Sequence, residues 1–371
     1  MSAPAAAADL KAAIAARARQ LGFDLCGFCT AERSPHAAAL YQWLERGFCA
    51  GMSYLRRDPE RRADPRRVLP GARSVVVVAM GCGAPSAEAP SDPGAAVFAR
   101  YARGDDYHDV IGRRLRDLLA FVRECAPGVD GRAYVDSGPL LERDLAVRAG
   151  LGWIGRNAML IHPILGSHLL LGELLLTADL PPDPPSRGSC GSCRRCADAC
   201  PTGAIVEDRV LDASRCIAYH TIESREVIPA SVAAQMGARV FGCDICQDVC
   251  PFNRRERPAR EPRFAARPPV HDARLEGLLG LSEAGYRAAF RGSPVRRAKR
   301  AGLARNAAAC LGSTRAPGAE PALLRALASD EPLVREQAAQ ALRHPPEQST
   351  PAAQAGAYGH GSLRPSDARC V

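Results

Sequence analysis

The residues best able to do chemistry are two runs of closely spaced cysteines. Both runs end in Cys-Pro, and they read CGSCRRCADACP from Cys190 and CDICQDVCP from Cys243. Thiolates at this spacing are typical of iron–sulfur proteins, in which the last cysteine of a run reaches across to a second cluster. The second run is one cysteine short, and Cys216 can supply the missing thiolate.

Eight thiolates are therefore available for two four-iron four-sulfur clusters. The predicted ligands of the first cluster are Cys190, Cys193, Cys196 and Cys250. The predicted ligands of the second cluster are Cys200, Cys216, Cys243 and Cys246. A pair of structural zinc sites is the alternative, because Cys-x2-Cys pairs also bind zinc. The Cys-Pro endings and the crossed fourth cysteine favour iron–sulfur clusters and one-electron transfer.

A second candidate for chemistry is Asp136, within the stretch YVDSGPLLERDLAVRAG. An apolar residue leads into Asp136, Ser-Gly-Pro ends the predicted strand, and a helix follows that stops near Gly150. An acid at a strand end beside a helix start is a common location for catalysis. The pattern alone favours the plainer alternative, in which Asp136 caps the helix or the turn.

The elements that must position these residues form a mixed α and β region ahead of the cysteines. Continuous apolar residues at 74–80 and 168–177 predict buried strands, and apolar periodicity predicts a helix over 107–125. Cys26 and Cys29 lie in a third apolar stretch, and we interpret them as core residues. A proline-rich linker is expected just before the cysteine-rich block.

The chain beyond about residue 280 is predicted to be helical and weakly repetitive. RNAAACL at 305–311 and EQAAQAL at 336–342 align, with small residues followed by leucine in both. This pattern suits the close packing of stacked helix pairs of the HEAT type. Residues 346–371 are rich in Pro, Gly, Ser and Ala, which predicts disorder.

The net charge of +9 is concentrated in the last third of the chain. Residues 254–371 hold 20 Lys and Arg against 11 Asp and Glu. A solvated basic surface and a nucleic-acid-binding module both agree with this asymmetry. No membrane span is expected, and clustered cysteines without an export signal predict a reducing cytoplasm. We interpret the Ala-rich start as an amphipathic helix, with a transit peptide as the alternative.

Taken in order, the motifs of this sequence resemble those of the epoxyqueuosine reductase family. The matching stretches include GDDYHDVI, VDSGPLLER, AGLGWIGRN, GELLL, RCIAY, PVRRAKRAGLARNAAACLG and both cysteine runs. They extend from about residue 8 to residue 345. The resemblance therefore covers nearly the whole chain and does not depend on the cysteines alone.

The resemblance implies an α+β protein built from three domains. These are a nitroreductase-like cobalamin-binding domain at 1–183, a two-cluster ferredoxin-like domain at 184–254 and a basic HEAT-like helical domain at 255–345, followed by the tail at 346–371. The implied reaction reduces epoxyqueuosine to queuosine at the wobble position of tRNA. A low-potential donor would send electrons through two [4Fe-4S] clusters to cobalamin, and Asp136 would donate a proton. Burial under cofactor and substrate is expected to raise the pKa of Asp136.

The resemblance also implies a set of cobalamin contacts. The matching positions are Arg62, Asp136, Arg143, Arg156, Asn157, Leu160, Leu171, Ala218, Asp244 and Ile245. Ala218 replaces the serine common in the family, so a contact there must come from the main chain. The stretch from Asp106 to Gly112 is one residue longer than the cobalt-binding Asp-x-His-x2-Gly pattern. We therefore interpret His108 as a helix or pocket residue, not as a cobalt ligand.

The basic C-terminal region would then contact the anticodon stem of tRNA. The predicted phosphate contacts are Arg291, Arg296, Arg297, Lys299, Arg300 and Arg305. We expect a monomer in the cytoplasm. Two alternatives stay open: a cobalamin-dependent dehalogenase acting on a small molecule, and an electron carrier without chemistry of its own. The basic helical region argues against the first, and the large N-terminal region with its acid motif argues against the second.

Overall fold

The structure is a computed structural model, and it describes residues 3–83, 92–254 and 258–343. The tail predicted at 346–371 lies outside the described residues. Within these described ranges, no helix combines the length and the apolar character needed to cross a membrane.

The described residues form ten strands, and four of them make the central sheet. The strands are β1 (Leu25–Thr30), β2 (Ser74–Gly81), β3 (Val97–Phe98), β4 (Gly131–Tyr134), β5 (Trp153–Ile154), β6 (Leu160–Ile161), β7 (Leu169–Leu176), β8 (Ile205–Glu207), β9 (Val210–Leu211) and β10 (Arg239–Phe241). The central sheet has the order β1-β2-β7-β4, and all neighbours are antiparallel. β3 pairs with β10 in parallel, and β5-β6 and β8-β9 form small antiparallel pairs.

Helices pack on both faces of the sheet and dominate the C-terminal third. They are α1 (Ala3–Gln20), α2 (Ala37–Glu45), α3 (Pro59–Ala63), α4 (Tyr107–Cys125), α5 (Glu142–Arg148), α6 (Arg195–Asp198), α7 (Ile217–Ile222), α8 (Ala230–Ala233), α9 (Ile245–Asp248), α10 (Pro268–His271), α11 (Leu275–Leu279), α12 (Glu283–Ala289), α13 (Lys299–Thr314), α14 (Ala319–Ala326) and α15 (Pro332–Arg343).

The central sheet is buried on both faces, which explains why its middle strands are continuous apolar runs. Val76 and Val78 of β2 belong to the core on the side of α1 and α4. Val75 and Val77 belong to the core on the side of α5. Glu173 is the exception in β7, because it is a fully buried carboxyl group in the centre of the sheet.

The elements predicted from the sequence are confirmed. β2 begins at Ser74, β7 falls within the predicted 168–177, and α4 has the predicted bounds of 107–125. The side chain of Asp106 accepts a hydrogen bond at the N-terminus of α4, and Gly150 has a φ of 79° just after α5. Cys26 and Cys29 lie on β1, where burial raises the pKa of both thiols to about 12.

The cysteine-rich block and the C-terminal helices share one hydrophobic core. That core includes Ile217 and Phe241 from the block together with Leu311 and Ala338 from the helices. The two repeat-like segments lie on α13 and α15, which approach closely. A Cβ atom on Gly312 would lie only 2.7 Å from the Cβ of Ala341. Small residues thus permit the predicted packing, while the HEAT classification and the domain boundaries stay predictions.

Candidate active site

The fold brings the cysteines of each predicted ligand set together. The thiol of Cys250 interacts electrostatically with three thiols of the first run, namely Cys190, Cys193 and Cys196. Cys216 interacts in the same way with Cys200, and Cys246 interacts with both Cys243 and Cys216. Cys246 also interacts with Cys196 of the other set, so the two sets lie near each other and the crossed assignment stays a prediction.

The local environment of these thiols disfavours their ionisation in the absence of a metal. Burial raises the pKa of Cys250 to about 11 and the pKa of Cys243 to about 12. Neighbouring thiols add to the rise in both cases, and main-chain hydrogen bonds oppose it to a lesser extent. Coordinated iron would offset this cost, because a metal deprotonates its thiol ligands. In the described ranges, no three His, Cys, Asp or Glu side chains form a single-ion site. Thiolates around a cubane bind different irons and need not converge.

Asp136 lies in a strained turn just after β4. Its φ of 56° is in the left-handed region, which a residue with a Cβ adopts at an energetic cost. The N–H of Asp136 donates to Oε1 of Glu142 at 2.7 Å. The N-cap residue of α5 is Leu141, so Asp136 does not cap that helix. Strain of this kind is a feature of functional sites.

The carboxyl group of Asp136 meets two side chains from the start of α4. The hydroxyl of Tyr107 donates to Oδ2 of Asp136 at 2.7 Å, and Nε2 of His108 lies 3.4 Å from the same oxygen. The other ring nitrogen of His108 lies 2.7 Å from Oδ1 of Asp106. The Tyr107 and His108 rings stack with their centroids 4.1 Å apart. His108 thus lies at the start of α4 and between two carboxyl groups, the second of which the sequence did not reveal.

The predicted rise in the pKa of Asp136 concerns a site covered by cofactor and substrate and stays a prediction, but in the chain by itself the pKa is lowered. The hydrogen bond with His108, aided by Tyr107, lowers the pKa of Asp136 and outweighs the opposing effect of burial. Burial alone would lower the pKa of His108, but hydrogen bonds to Asp106 and Asp136 raise it to about 9. The sequence argument considered burial and omitted the imidazole. At neutral pH the shared proton therefore lies on His108.

Two further carboxyl groups next to Asp136 were missed by the sequence argument. Glu142 begins α5, and Glu173 lies opposite Tyr134 in the pairing of β7 with β4. Burial and the charge of Asp136 raise the pKa of Glu142 to about 7, although its interaction with Glu173 acts in the opposite direction. Burial, followed by the charges of Glu142 and Asp136, raises the pKa of Glu173 well above its usual value. An acid inside the apolar run GELLL was the available signal, because buried strands rarely contain an unpaired acid.

Of the predicted cobalamin contacts in the N-terminal region, Asn157 is the one for which a hydrogen bond to the second cysteine run is observed in the described part of the chain. Nδ2 of Asn157 donates to the carbonyl oxygen of Cys246 at 3.3 Å. Nη1 of Arg143 donates to the carbonyl of Ala158 at 2.9 Å. Leu160 is buried on β6, and Leu171 is half-buried on β7. Arg62 is half-buried at 3.4 Å from the carbonyl of Gly138, and Arg156 pairs with Asp208.

The junction residues of the cysteine block face the N-terminal region. Oδ2 of Asp244 accepts a hydrogen bond from the main-chain N–H of Arg100 at 2.7 Å, so its carboxylate is already engaged. Ala218 and Ile245 are half-buried on α7 and α9. The buried hydroxyl of Tyr101 interacts electrostatically with both Asp136 and Asp244. The acid and the second cysteine run therefore border the same region.

Five of the six predicted tRNA contacts lie at the surface or near it. Arg291, Arg296 and Lys299 are exposed. Arg297 forms a two-pronged ion pair with Glu223, at 2.9 and 2.7 Å, and it also interacts electrostatically with Asp136. Arg300 is half-buried and pairs with Glu331 at 2.5 Å. This basic segment therefore borders the candidate active site.

Arg305 is the exception, and its prediction as a phosphate contact is wrong. Its side chain is 0% exposed. The guanidinium donates to the carbonyl oxygens of Glu226 and His220 and to Oδ1 of Asn306. A group enclosed in this way cannot reach a phosphate. Its role is to join α13 to the cysteine-rich block.

We expect Arg305→Met to destabilise the protein by about 3 kcal/mol, because it leaves buried acceptors without their charged donor. Denaturant unfolding of the full chain, followed by circular dichroism, measures this effect. Arg296→Met is the matched control at an exposed position and should change stability by less than about 0.5 kcal/mol. Equal effects of the two substitutions would contradict the structural role of Arg305.

Eight grouped thiols beside a carboxylate and a protonated imidazole define an iron–sulfur oxidoreductase that handles electrons and protons together. Residues 189–253 match the family model described as "4Fe-4S double cluster binding domain". Residues 62–137 match the model described as "Epoxyqueuosine reductase QueG, DUF1730". The chain belongs to the epoxyqueuosine reductase family.

Curated relatives and solved structures of that family match almost the whole chain. The epoxyqueuosine reductase of Gloeobacter violaceus is 44% identical over 314 residues, which are 83% of this chain and 97% of that protein. The protein of Xanthomonas campestris pv. campestris is 40% identical over 342 residues, covering 90% and 96%. The crystal structure of an epoxyqueuosine reductase with an epoxyqueuosine-modified tRNA-Tyr stem loop has a TM-score of 0.84 and 31% identity, covering 90% of this chain and 89% of that one.

Proposed function

We propose that this chain reduces epoxyqueuosine to queuosine at the wobble position of tRNA. In that reaction both epoxide C–O bonds break, an alkene forms, and the oxygen leaves as water. Two electrons and two protons are consumed. The observation that carries the proposal is the electrostatic environment of Asp136, which interacts with Arg297 of the basic segment and with Tyr101. Tyr101 in turn interacts with Asp244 of the second cysteine run. A candidate proton donor therefore lies within electrostatic range of the basic segment and of a residue that also interacts with the cysteine block.

Cobalamin fits the donor set at this boundary. Arg62, Arg143 and Asn157 offer N–H donors to the amide and phosphate edges of a corrin, and Leu160 offers an apolar contact. Both ring nitrogens of His108 already face carboxyl groups, so we expect His108 not to bind cobalt. When bound, cobalamin supplies a cobalt that collects single electrons and passes them to carbon.

The proton supply is proposed to be shared between Asp136 and His108. The imidazole holds the proton at neutral pH, and the carboxylate faces both the imidazole and the hydroxyl of Tyr107. Asp136 therefore acts by taking the proton from His108 and giving it to the leaving oxygen. This assigns the proton donor role of the family to Asp136 without requiring a raised pKa in the resting state.

Electrons are proposed to enter at the first cluster. Its ligands Cys193 and Cys196 flank Arg194 and Arg195, which are exposed. A surface of this charge favours docking of an acidic, low-potential one-electron carrier. The second set, which includes Cys246, lies next to Asn157 and therefore faces the proposed cofactor site.

Binding of tRNA is proposed to use the basic segment from Arg291 to Arg300. We expect the double variant Arg296→Ala/Lys299→Ala to weaken tRNA binding and to reduce the slope of log K against log salt by about 2, because two phosphate contacts are lost. Fluorescence anisotropy with an anticodon stem loop at several salt concentrations measures both effects. Arg123→Ala, an exposed arginine at the end of α4, is the control. An unchanged salt slope in the double variant would contradict this assignment.

An anaerobic assay distinguishes the proposed function from its alternatives. The protein is reconstituted with iron, sulfide and cobalamin, supplied with a chemical reductant, and offered epoxyqueuosine tRNA or a halogenated phenol. Queuosine formation supports the proposal, whereas turnover of the phenol alone would indicate a dehalogenase. Tight tRNA binding without turnover would indicate a binding protein. We expect the active species to be a cytoplasmic monomer, which light scattering and cell fractionation can check.

A further inference from the structure

The short β5–β6 hairpin belongs to the N-terminal region, yet it contacts both cysteine runs. Its two strands pair Trp153 with Ile161 and Ile154 with Leu160. The hairpin lies outside residues 189–253, which match the double cluster domain. The proposed proton transfer and RNA contacts do not account for its position between the two runs.

The turn of this hairpin, residues 155–159, is held in one conformation by hydrogen bonds. The main-chain N–H of Gly155 donates to the carbonyl of Met159 at 2.8 Å, and the N–H of Ala158 donates to the carbonyl of Gly155 at 2.9 Å. Nη1 of Arg143 on α5 also donates to the carbonyl of Ala158 at 2.9 Å. The turn is therefore anchored to α5, and the side chains of its middle residues start from a fixed main chain.

Arg156, the first middle residue of the turn, holds the first cysteine run. Its Nη2 donates to the carbonyl oxygen of Gly191 at 2.8 Å, and Gly191 directly follows the predicted ligand Cys190. Its Nη1 forms an ion pair with Asp208. The main-chain carbonyl of Arg156 accepts a hydrogen bond from the N–H of Arg209 at 3.0 Å. The guanidinium is therefore fixed between the first run and the β8–β9 hairpin.

Asn157, the second middle residue of the turn, holds the second cysteine run. Its Nδ2 donates to the carbonyl oxygen of Cys246 at 3.3 Å, and the residue is buried. Its Oδ1 accepts from the main-chain N–H of Met159 at 3.3 Å, which fixes the orientation of the amide. Two adjacent residues of one turn therefore bind main-chain carbonyls in the two different runs.

The strands of the hairpin also pack against the first ligand set. Trp153 and Ile161 form one buried cluster with Cys250, and Cys190 packs against that cluster. A Cβ atom on Gly188 would lie only 2.0 Å from the Trp153 ring, so only glycine permits this close approach. The indole thus covers the main chain that leads into the first run. Apolar packing and the guanidinium therefore act on the same ligand set.

The charge of a guanidinium fixed at this place affects the reduction of a cluster held by the first run. A [4Fe-4S] cluster gains one negative charge on reduction, and its potential depends on nearby charges, hydrogen bonds and solvent exposure. Arg156 is half-buried, so its charge is screened less than that of an exposed side chain. The guanidinium therefore favours the reduced form, and the carboxylate of Asp208 opposes it.

We propose that this turn positions the two cysteine runs for electron transfer and that the Arg156–Asp208 ion pair sets the reduction potential of the first cluster. The inference rests on the proposed electron path, in which the first cluster accepts single electrons from a low-potential carrier. Each transfer to the second cluster oxidises the first by one electron and reduces the second by one. Arg156 and Asn157 are positioning residues in this role, because they act through the main chain of the ligands.

Substitutions with opposite effects on charge separate this role from a purely structural one. Arg156→Met removes the positive charge, so at a fixed applied potential the ratio of reduced to oxidised first cluster should fall by at least about threefold. Asp208→Asn leaves the guanidinium uncompensated, so the ratio should rise. Arg156→Lys keeps the charge and should restore most of the ratio. Arg209→Met removes an exposed arginine from the same β8–β9 turn and is the matched control, with little effect.

The measurement is a redox titration of the full chain loaded with iron and sulfide, without cobalamin or RNA, followed by electron paramagnetic resonance. One cluster should respond, and the other should keep its potential. Shifts of the same sign in Arg156→Met and Asp208→Asn, or no shift in either, would overturn the inference. A shift in Arg209→Met as large as that in Arg156→Met would overturn it as well.

The titration stays decisive if Arg156→Met loses its first cluster, because Asp208→Asn and Arg156→Lys keep a positive charge at residue 156. Asp208→Asn must then raise the ratio of reduced to oxidised cluster, and an unchanged or lower ratio would overturn the inference. No substrate is turned over in this experiment. A failure of the proposed function would appear instead as absence of queuosine formation by the wild type.

Hydrogen exchange of the cluster-loaded chain tests the positioning role of the turn. Arg156→Met should increase main-chain exchange by about fivefold in residues 190–200 and not in residues 243–250, because only the first run loses a hydrogen bond. Asn157→Leu, of similar size, should have the reverse effect. Unchanged exchange in both variants, or an equal increase in both runs in each variant, would overturn the separate attachment of the two runs.

Discussion

Replacing Asp136 with asparagine should lower the rate of epoxyqueuosine reduction by about 10² to 10⁴-fold, which is the usual contribution of a general acid. Asparagine keeps the size of the side chain and can still accept from Tyr107, but it cannot take the proton held by His108. The measurement is single-turnover formation of queuosine, detected by mass spectrometry of digested tRNA. Cluster content, cobalamin binding and tRNA affinity should stay at wild-type levels.

Asp117→Asn is the matched control for this substitution. Asp117 is exposed on α4, the same helix that supplies Tyr107 and His108, and it should tolerate the change without loss of rate. Asp136→Asn at full rate would contradict the assignment of Asp136 as proton donor. A loss of clusters or of cobalamin in the variant would show instead that Asp136 maintains the pocket.

Replacing Cys216 with serine should abolish turnover by disabling the second cluster alone. Cys216 interacts with Cys200 and with the thiols of the second run, so its loss removes one corner of that cluster. The first set, which is closed by Cys250, is untouched. We expect the variant to lose about half of its iron, to keep one cluster signal in electron paramagnetic resonance, and to form no queuosine.

Cys125→Ser tests whether the loss is specific to the cluster ligand. Cys125 is exposed at the end of α4 and belongs to neither thiol set. That variant should keep its iron and its rate. Retention of all the iron in Cys216→Ser would contradict the ligand assignment, and retention of turnover with half the iron would contradict a path through both clusters.

The elements of the fold could be predicted from the sequence, and the ligand sets could be proposed from it, because both depend on spacing along the chain. The apolar runs of β2 and β7 and the periodicity of α4 are local signals, and cysteine spacing limits which thiols can share a cluster. The position of Asp136 after a strand was likewise visible. Its interactions with Tyr107 and His108 were not visible in the sequence. Tyr107 lies 29 residues before Asp136, and His108 follows Tyr107 directly, so only the folded chain brings these side chains together.

What the sequence did not show has the same origin in tertiary contacts. A raised pKa for Asp136 was expected from burial under cofactor and substrate, but the folded chain also places the imidazole of His108 against it, which lowers that pKa. Arg305 belongs to a basic stretch in the sequence, yet α13 turns it inward to bind carbonyl oxygens. Helix periodicity did not distinguish it from exposed Arg296. The interaction of Glu142 with Glu173 depends on the packing of α5 against β7, which no local pattern specifies.

The central claim is that this chain couples electrons from its clusters to removal of one oxygen from a tRNA base. The most direct test is an anaerobic titration of protein loaded with both clusters and cobalamin, with epoxyqueuosine tRNA present and reductant added in known amounts. The account predicts one queuosine for every two electrons consumed, with no product when cobalamin is omitted. Consumption of electrons without queuosine, or queuosine formation that does not depend on cobalamin, would contradict it.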